Sequence, residues 1–256
     1  HMVSSRTEPG LEAVANAISY PKLFQLYVRG DASWVDDHIS RAIDSGYVGI
    51  AFTVDLDYYG RRERDTTKRY RTTSRRTPQA IEWQYRFSWS DVERIRKKFD
   101  IPIILKGVAT AEDSILAVES GIDSIYVSNH GGRQLDHGRG SVEVLSEVVE
   151  AVGGRVEVYV DGGFMRGTDI VKAMALGADA VGIGRLQGLA LGAAGSIGVA
   201  RMLQLLEDEI RICLGLLGVT KFAELDKSYL HAVQSVEPPS QLSALPLLFE
   251  EYLYDR

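Results

Sequence analysis

The segment Ser128-Asn129-His130-Gly131-Gly132-Arg133 sets an imidazole and a guanidinium on either side of two glycines. The glycines permit a tight backbone turn, and a titratable base beside a fixed cation suits an anionic substrate that loses a proton. The run from Ile101 ends at Lys106, an ammonium that can stabilise a developing anion or form a Schiff base. Asp161-Gly162-Gly163 and Gly184-Arg185 offer glycine amides and a cation of the kind that bind phosphate, which implies a phosphate-bearing cofactor. Gln25, Tyr27, Thr53 and Asp55 are further polar residues that close otherwise apolar runs.

The pattern around these residues indicates what brings them together. Runs rich in Val, Ile and Tyr at 22–28, 48–54, 101–106, 123–128, 155–161 and 179–184 read as buried strands. Helix-period segments lie between them at 34–45, 89–99, 110–120, 141–152 and 168–176, and Gly46, Gly121 and Gly177 stand where helices commonly close. Strict alternation demands parallel strands joined by right-handed crossovers, so the class is α/β. The polar residues sit at the C-terminal ends of six consecutive strands, which favours a (β/α)8 TIM barrel, with one shared mouth, over a crevice in a doubly wound sheet. Only six of the eight strands are evident, because residues 1–9 leave no room for two more βα units before a helix at 10–19. The expectation is a barrel whose first two strands are missing, with open edges at 22–28 and 179–184. Residues 1–235 form the barrel, and 236–256, which contain Pro238-Pro239, form a tail packing on it or on a neighbouring subunit.

Composition limits the alternatives. Among 256 residues, 29 Lys and Arg face 35 Asp and Glu, a net charge of −6 that argues against a nucleic-acid coat or a polybasic membrane binder. Eight Lys or Arg between Arg61 and Arg76 therefore read as part of a lid over an anionic substrate. The single Cys213 cannot form an internal disulfide and is expected in a helix core. No Cys/His cluster has metal-ligand spacing, so no metal site is expected, and a cytoplasmic address fits. The most apolar stretch, 189–200, is shorter than the ~20 residues of a membrane span.

Ile104-Leu-Lys-Gly-Val108, Ser128-Asn-His-Gly-Gly-Arg-Gln-Leu-Asp136, Asp161-Gly-Gly163, Gly167-Thr-Asp169, Ala175-Leu-Gly-Ala178 and Ile183-Gly-Arg185 match motifs of a known family. With Phe24-Gln-Leu-Tyr-Val28, Thr53-Val-Asp55 and Gly60-Arg-Arg-Glu63 in the same order, the chain resembles the FMN-dependent α-hydroxy acid oxidases and dehydrogenases. That family includes glycolate oxidase, lactate oxidase, mandelate dehydrogenase and flavocytochrome b2. The resemblance implies FMN as cofactor and oxidation of a small L-2-hydroxy carboxylate to its keto acid, with electrons passing to oxygen or another acceptor. It implies His130 as the base, Asp55 as its carboxylate partner, Arg133 as the grip on the substrate carboxylate, and Arg62 and Tyr27 as further substrate contacts. It puts Lys106 at the flavin N1 and O2 edge, Gln25, Thr53 and Ser128 on the flavin ring, and Asp161 on the ribityl chain. Gly163, Gly184, Arg185 and Arg166 would hold the phosphate, although Met165 stands where the family often has an Arg. A homo-oligomer, a tetramer as in the family, is implied for a complete barrel. Two other readings stand beside this one: a class I aldolase using Lys106, and a catalytically impaired barrel fragment that associates through open strand edges.

Overall fold

Seven parallel strands, hydrogen-bonded in chain order, make one curled sheet in the computed structural model, which describes residues 1–60, 62, 67–69 and 81–233. They are β1 (Met2–Ser4), β2 (Leu23–Leu26), β3 (Gly49–Thr53), β4 (Ile103–Val108), β5 (Ser124–Val127), β6 (Glu157–Val160) and β7 (Ala180–Val181). Between and after them come α1 (Leu11–Ala17), α2 (Ala32–Asp44), α3 (Ile81–Arg86), α4 (Trp89–Lys98), α5 (Ala111–Glu119), α6 (Ser141–Val152), α7 (Gly167–Ala175) and α8 (Arg185–Leu217). Most of the basic segment 61–76, and all of the tail 236–256, lie outside the described residues.

Helices start where a side chain supplies a partner to the free amides of the first turn. Asp31 accepts from the Trp34 amide at 3.0 Å to open α2, and Thr110 accepts from the Asp113 amide at 3.2 Å to open α5. Ser88 and Asp91 cap α4 reciprocally. Strand alternation then sorts the side chains. Phe24, Leu26, Ile50, Phe52, Ile103, Leu105, Ile125 and Val127 point outward and are buried against Val35, Ile39, Val92, Ile95, Leu145 and Val148 of the helices. Each large apolar side chain so buried contributes about 1.5–3 kcal/mol. The opposite face carries Ala51, Ile104 and Tyr126 as a smaller interior cluster, and the polar strand-end residues share that inner face.

The strand count corrects the sequence expectation. Met2–Ser4 pairs in parallel with Leu23, Phe24 and Gln25, so a seventh strand precedes the six, and the first open edge is β1 rather than 22–28. One strand, not two, separates this sheet from an eight-stranded barrel. Three residues are too few to show an alternation; Val3 is identified as strand by its partner and by burial at 2% exposure. The extra βα unit fits because α1 has only seven residues.

Helix α8 runs from Arg185 to Leu217, with a break at Ala194 and Gly195. By length, and by a window of 18 residues with mean hydropathy 1.5, the stretch Arg185–Glu224 is apolar enough to cross a membrane, unlike the shorter 189–200 noted from sequence. In this fold it packs along α7, with Met202, Leu206 and Leu214 buried and an Arg166–Glu209 ion pair of 2.7 Å between the two. Cys213 lies half-buried beside the apolar cluster of Val171, Leu214 and Val219.

Candidate active site

The inner-face polar residues meet in one cleft at the C-terminal end of the sheet, enclosing about 240 Å³. Lys106 on β4 donates to Ser128 Oγ at 2.7 Å and pairs with Asp161 Oδ2 at 3.0 Å. Gln25 on β2 donates to Thr53 Oγ1 at 2.6 Å and to the Tyr27 hydroxyl at 3.2 Å. Thr53 and Ser128 are buried just behind the wall that Gln25, Tyr27, Lys106 and Asp161 form. Gln84 of α3, also buried, accepts from the Val28 amide at 2.8 Å and donates to the Thr53 carbonyl at 2.7 Å, clamping two strand ends together.

His130 enters the cleft from the loop after β5 with a left-handed φ of +56°. Such a backbone costs on the order of 1–3 kcal/mol for a residue with a side chain and persists only when its surroundings fix it. Here the Ser128 hydroxyl accepts the His130 amide at 3.1 Å, and Asp55 Oδ1 accepts from His130 Nδ1 at 2.9 Å. A carboxylate only accepts, so Nδ1 carries the proton and Nε2 is left as the basic nitrogen. Asp55 Oδ2 is buried without a hydrogen-bond partner among the described residues, which leaves its charge directed at the imidazole.

Asp55 comes this close because of a residue that sequence reasoning passed over. Lys106 does not end its strand, as expected; β4 continues to Val108 through a bulge at Gly107, whose φ is +112°. A Cβ on Gly107 would stand 2.7 Å from both the Cβ and the backbone nitrogen of Asp55. A glycine interrupting an apolar strand was the signal for such a bulge and close approach.

Burial, and then the charge of Asp55, push the Tyr27 phenol up to about 12. Tyr27 is therefore a proton donor across the working pH range. The folded state holds this proton more tightly than the unfolded chain, whose tyrosines titrate near 10, so the associated stability is complete below pH ~10 and is lost as pH rises through 12. Two pH units correspond to about 2–3 kcal/mol. Urea unfolding between pH 8 and 12 should show Tyr27→Phe losing less stability than the parent chain; parallel curves would exclude the assignment.

The structure brings together most of the residues singled out from sequence, with two exceptions. Arg133, Gly163, Gly184 and Arg185 line the cleft. Arg166 does not: it caps α7 and spends its guanidinium on Glu209, while Met165 takes the cleft-facing place. Arg62 lies outside the cleft wall, where it donates to the Arg133 carbonyl at 3.5 Å and to Gln134 Oε1 at 3.0 Å, bracing the loop that carries Arg133.

The donor set fits a phosphorylated flavin. Among the described residues, Asp161 Oδ1 is a buried acceptor with no hydrogen-bond partner, ready for a hydroxyl. No atom lies within 4 Å of where a Cβ would stand on Gly163 or Gly184, so the backbone there forms an open cradle. Gly184 is the N-cap of α8, which adds unpaired amides of a helix start, and Arg185 stands beside Gly131 at the same end.

The sequence matches the family described as FMN-dependent dehydrogenase over residues 1–232. Glycolate oxidase 3 of Arabidopsis thaliana is 37% identical over 264 residues, covering 94% of this chain and 71% of the relative. Glycolate oxidase 1 of Oryza sativa subsp. indica is 38% identical over 251 residues, covering 90% and 68%. Among solved structures, mandelate oxidase with (S)-2-phenylpropionate superposes with a TM-score of 0.79 at 40% identity, covering 87% of this chain and 66% of that one. The chain thus spans about two thirds of the length of these relatives.

Proposed function

The chain belongs to the FMN-dependent dehydrogenase family, and from that premise we propose that it oxidises a small 2-hydroxy carboxylate to the corresponding 2-keto acid. One observation carries the reading: the His130–Asp55 pair, 2.9 Å apart, opens on the same cleft as Arg133 and Lys106. FMN, when bound, supplies the acceptor for the substrate's two electrons. Arg133 grips the substrate carboxylate with a charge-assisted pair and so directs the hydroxyl-bearing carbon at His130. His130 Nε2 takes the proton, and Asp55 stabilises the imidazolium that results. Tyr27, protonated and hydrogen-bonded to Gln25, donates to the substrate. Lys106 would lend a fixed positive charge to the flavin ring. Gln25, Thr53 and Ser128 would hold the ring, Asp161 Oδ1 would accept from the ribityl chain, and Gly163, Gly184 and Arg185 would hold the phosphate. Oxygen or another acceptor would take up the electrons that the reaction releases. Exposed Leu189, Leu191, Ile197, Ile212 and Leu216 along α8 support self-association into a homo-oligomer.

The test is anaerobic: FMN-loaded protein is mixed with glycolate, lactate and mandelate, and the visible flavin band is followed. Bleaching by at least one acid is expected. If all leave the band unchanged while FMN stays bound, the reading fails.

A further inference from the structure

Tyr126 has no part in the reaction described above, yet it stands directly under its charged centre. It points inward from β5 two residues before Ser128, packed with Ala51 and Ile104 and edge-on to Tyr159, with 6.0 Å between the ring centroids. Its ring face lies 4.8 Å from Lys106 Nζ. Its hydroxyl occupies the space that a side chain at position 182 would need, since a Cβ on Gly182 would overlap it. Burial, and then the neighbouring Asp161 carboxylate, hold the phenol far above its usual pKa, so an uncharged ring faces the ammonium at all working pH. Lys106 and Tyr126 are each 8% exposed, so water screens the contact little.

We propose that Tyr126 is the positioning residue for Lys106: its ring face holds the ammonium up at the cleft. The inference rests on the FMN reading, because it concerns the charge that Lys106 presents to the flavin. The ammonium is held from three sides, by Ser128 Oγ at 2.7 Å, Asp161 Oδ2 at 3.0 Å and the ring face beneath it. With the ring gone, the floor under the ammonium is lost and it sinks into the vacated interior. Its positive charge then stands farther from the cofactor.

Sulfite reads this charge without turnover. It adds through its sulfur lone pair to N5 of oxidised flavin, forming one N–S bond with no leaving group and putting negative charge on the N1–C2 edge that Lys106 would serve. The FMN-loaded protein is titrated with sulfite, and FMN retention is measured separately by fluorescence. Tyr126→Phe keeps the ring and should bind sulfite within about twofold of the parent chain, whereas Tyr126→Leu should bind it about tenfold more weakly, with FMN affinity changed less than about threefold. Should Tyr126→Leu fail to fold, replacing Tyr126 by progressively fluorinated phenylalanines keeps the shape while draining the ring face of charge, and the sulfite dissociation constant should climb step by step. An unchanged constant in Tyr126→Leu, or a flat fluorinated series, overturns the positioning role alone. A parent chain that takes up no FMN overturns the functional reading and this inference with it.

Discussion

His130→Ala should slow substrate-driven flavin bleaching by about 10³- to 10⁴-fold, the range of a lost general base, while FMN affinity changes by no more than roughly twofold. The split between the two readouts follows from the layout of the cleft. The flavin-holding groups proposed here, Gln25, Thr53, Ser128, Asp161 and the glycines at 163 and 184, do not depend on the imidazole. The imidazole, by contrast, is oriented by one partner among the described residues, Asp55 at 2.9 Å. Asp55→Asn is the sharper companion, since an amide can donate to Nδ1 and turn the basic nitrogen away from the substrate. It should approach the His130→Ala defect although the imidazole remains. Stopped-flow reduction measured on flavin-loaded variants decides the matter. Bleaching of His130→Ala at the parent rate would remove His130 from the chemistry.

Gly107→Ala should be the most damaging substitution at a position that touches no substrate. A side chain there must adopt a φ of +112° and place its Cβ 2.7 Å from the backbone nitrogen of Asp55. Backbone strain of this kind costs about 1–3 kcal/mol. A backbone atom also cannot rotate out of the way, so the relief must come from moving the Thr53–Asp55 segment. A displacement near 1 Å at a catalytic contact costs about 100-fold in rate. We therefore expect bleaching to slow by about two orders of magnitude with a stability loss of about 2–3 kcal/mol. Thermal unfolding and single-turnover reduction, measured together, test both halves; Gly107→Ala with parent-like reduction would mean that the bulge does not set the His130–Asp55 distance.

Much of this site was legible before any coordinates, and the reason is local. Strand and helix periods are properties of neighbouring residues, so the parallel α/β class follows from the chain order of short apolar runs and capped helices. A period of two also fixes which residues share a face. Gln25, Thr53, Lys106, Ser128 and Asp161 fall on the inner set because Phe24, Phe52, Leu105 and Val127 beside them are the outward, helix-covered set. Gly131 and Gly132, which follow His130, mark where the backbone must turn tightly.

What the tertiary structure decided depends on groups far apart in sequence. The His130–Asp55 bond joins residues separated by 75 positions, and Lys106 meets Asp161 across two strand pairings. Both distances are set by strand register and the curl of the sheet, which no local pattern encodes. Arg166 shows the same limit: it stands one place beyond the position where the family often has a phosphate-binding Arg, and packing of α8 along α7 brings Glu209 to 2.7 Å, where the guanidinium pairs. The first strand is three residues long and exists as a strand only because Leu23, Phe24 and Gln25 offer it an edge. Sequence thus determined which side chains face inward and where the chain turns, because those follow from short-range backbone geometry; which of them touch was decided by long-range packing, where the sum of many contacts outweighs any local preference.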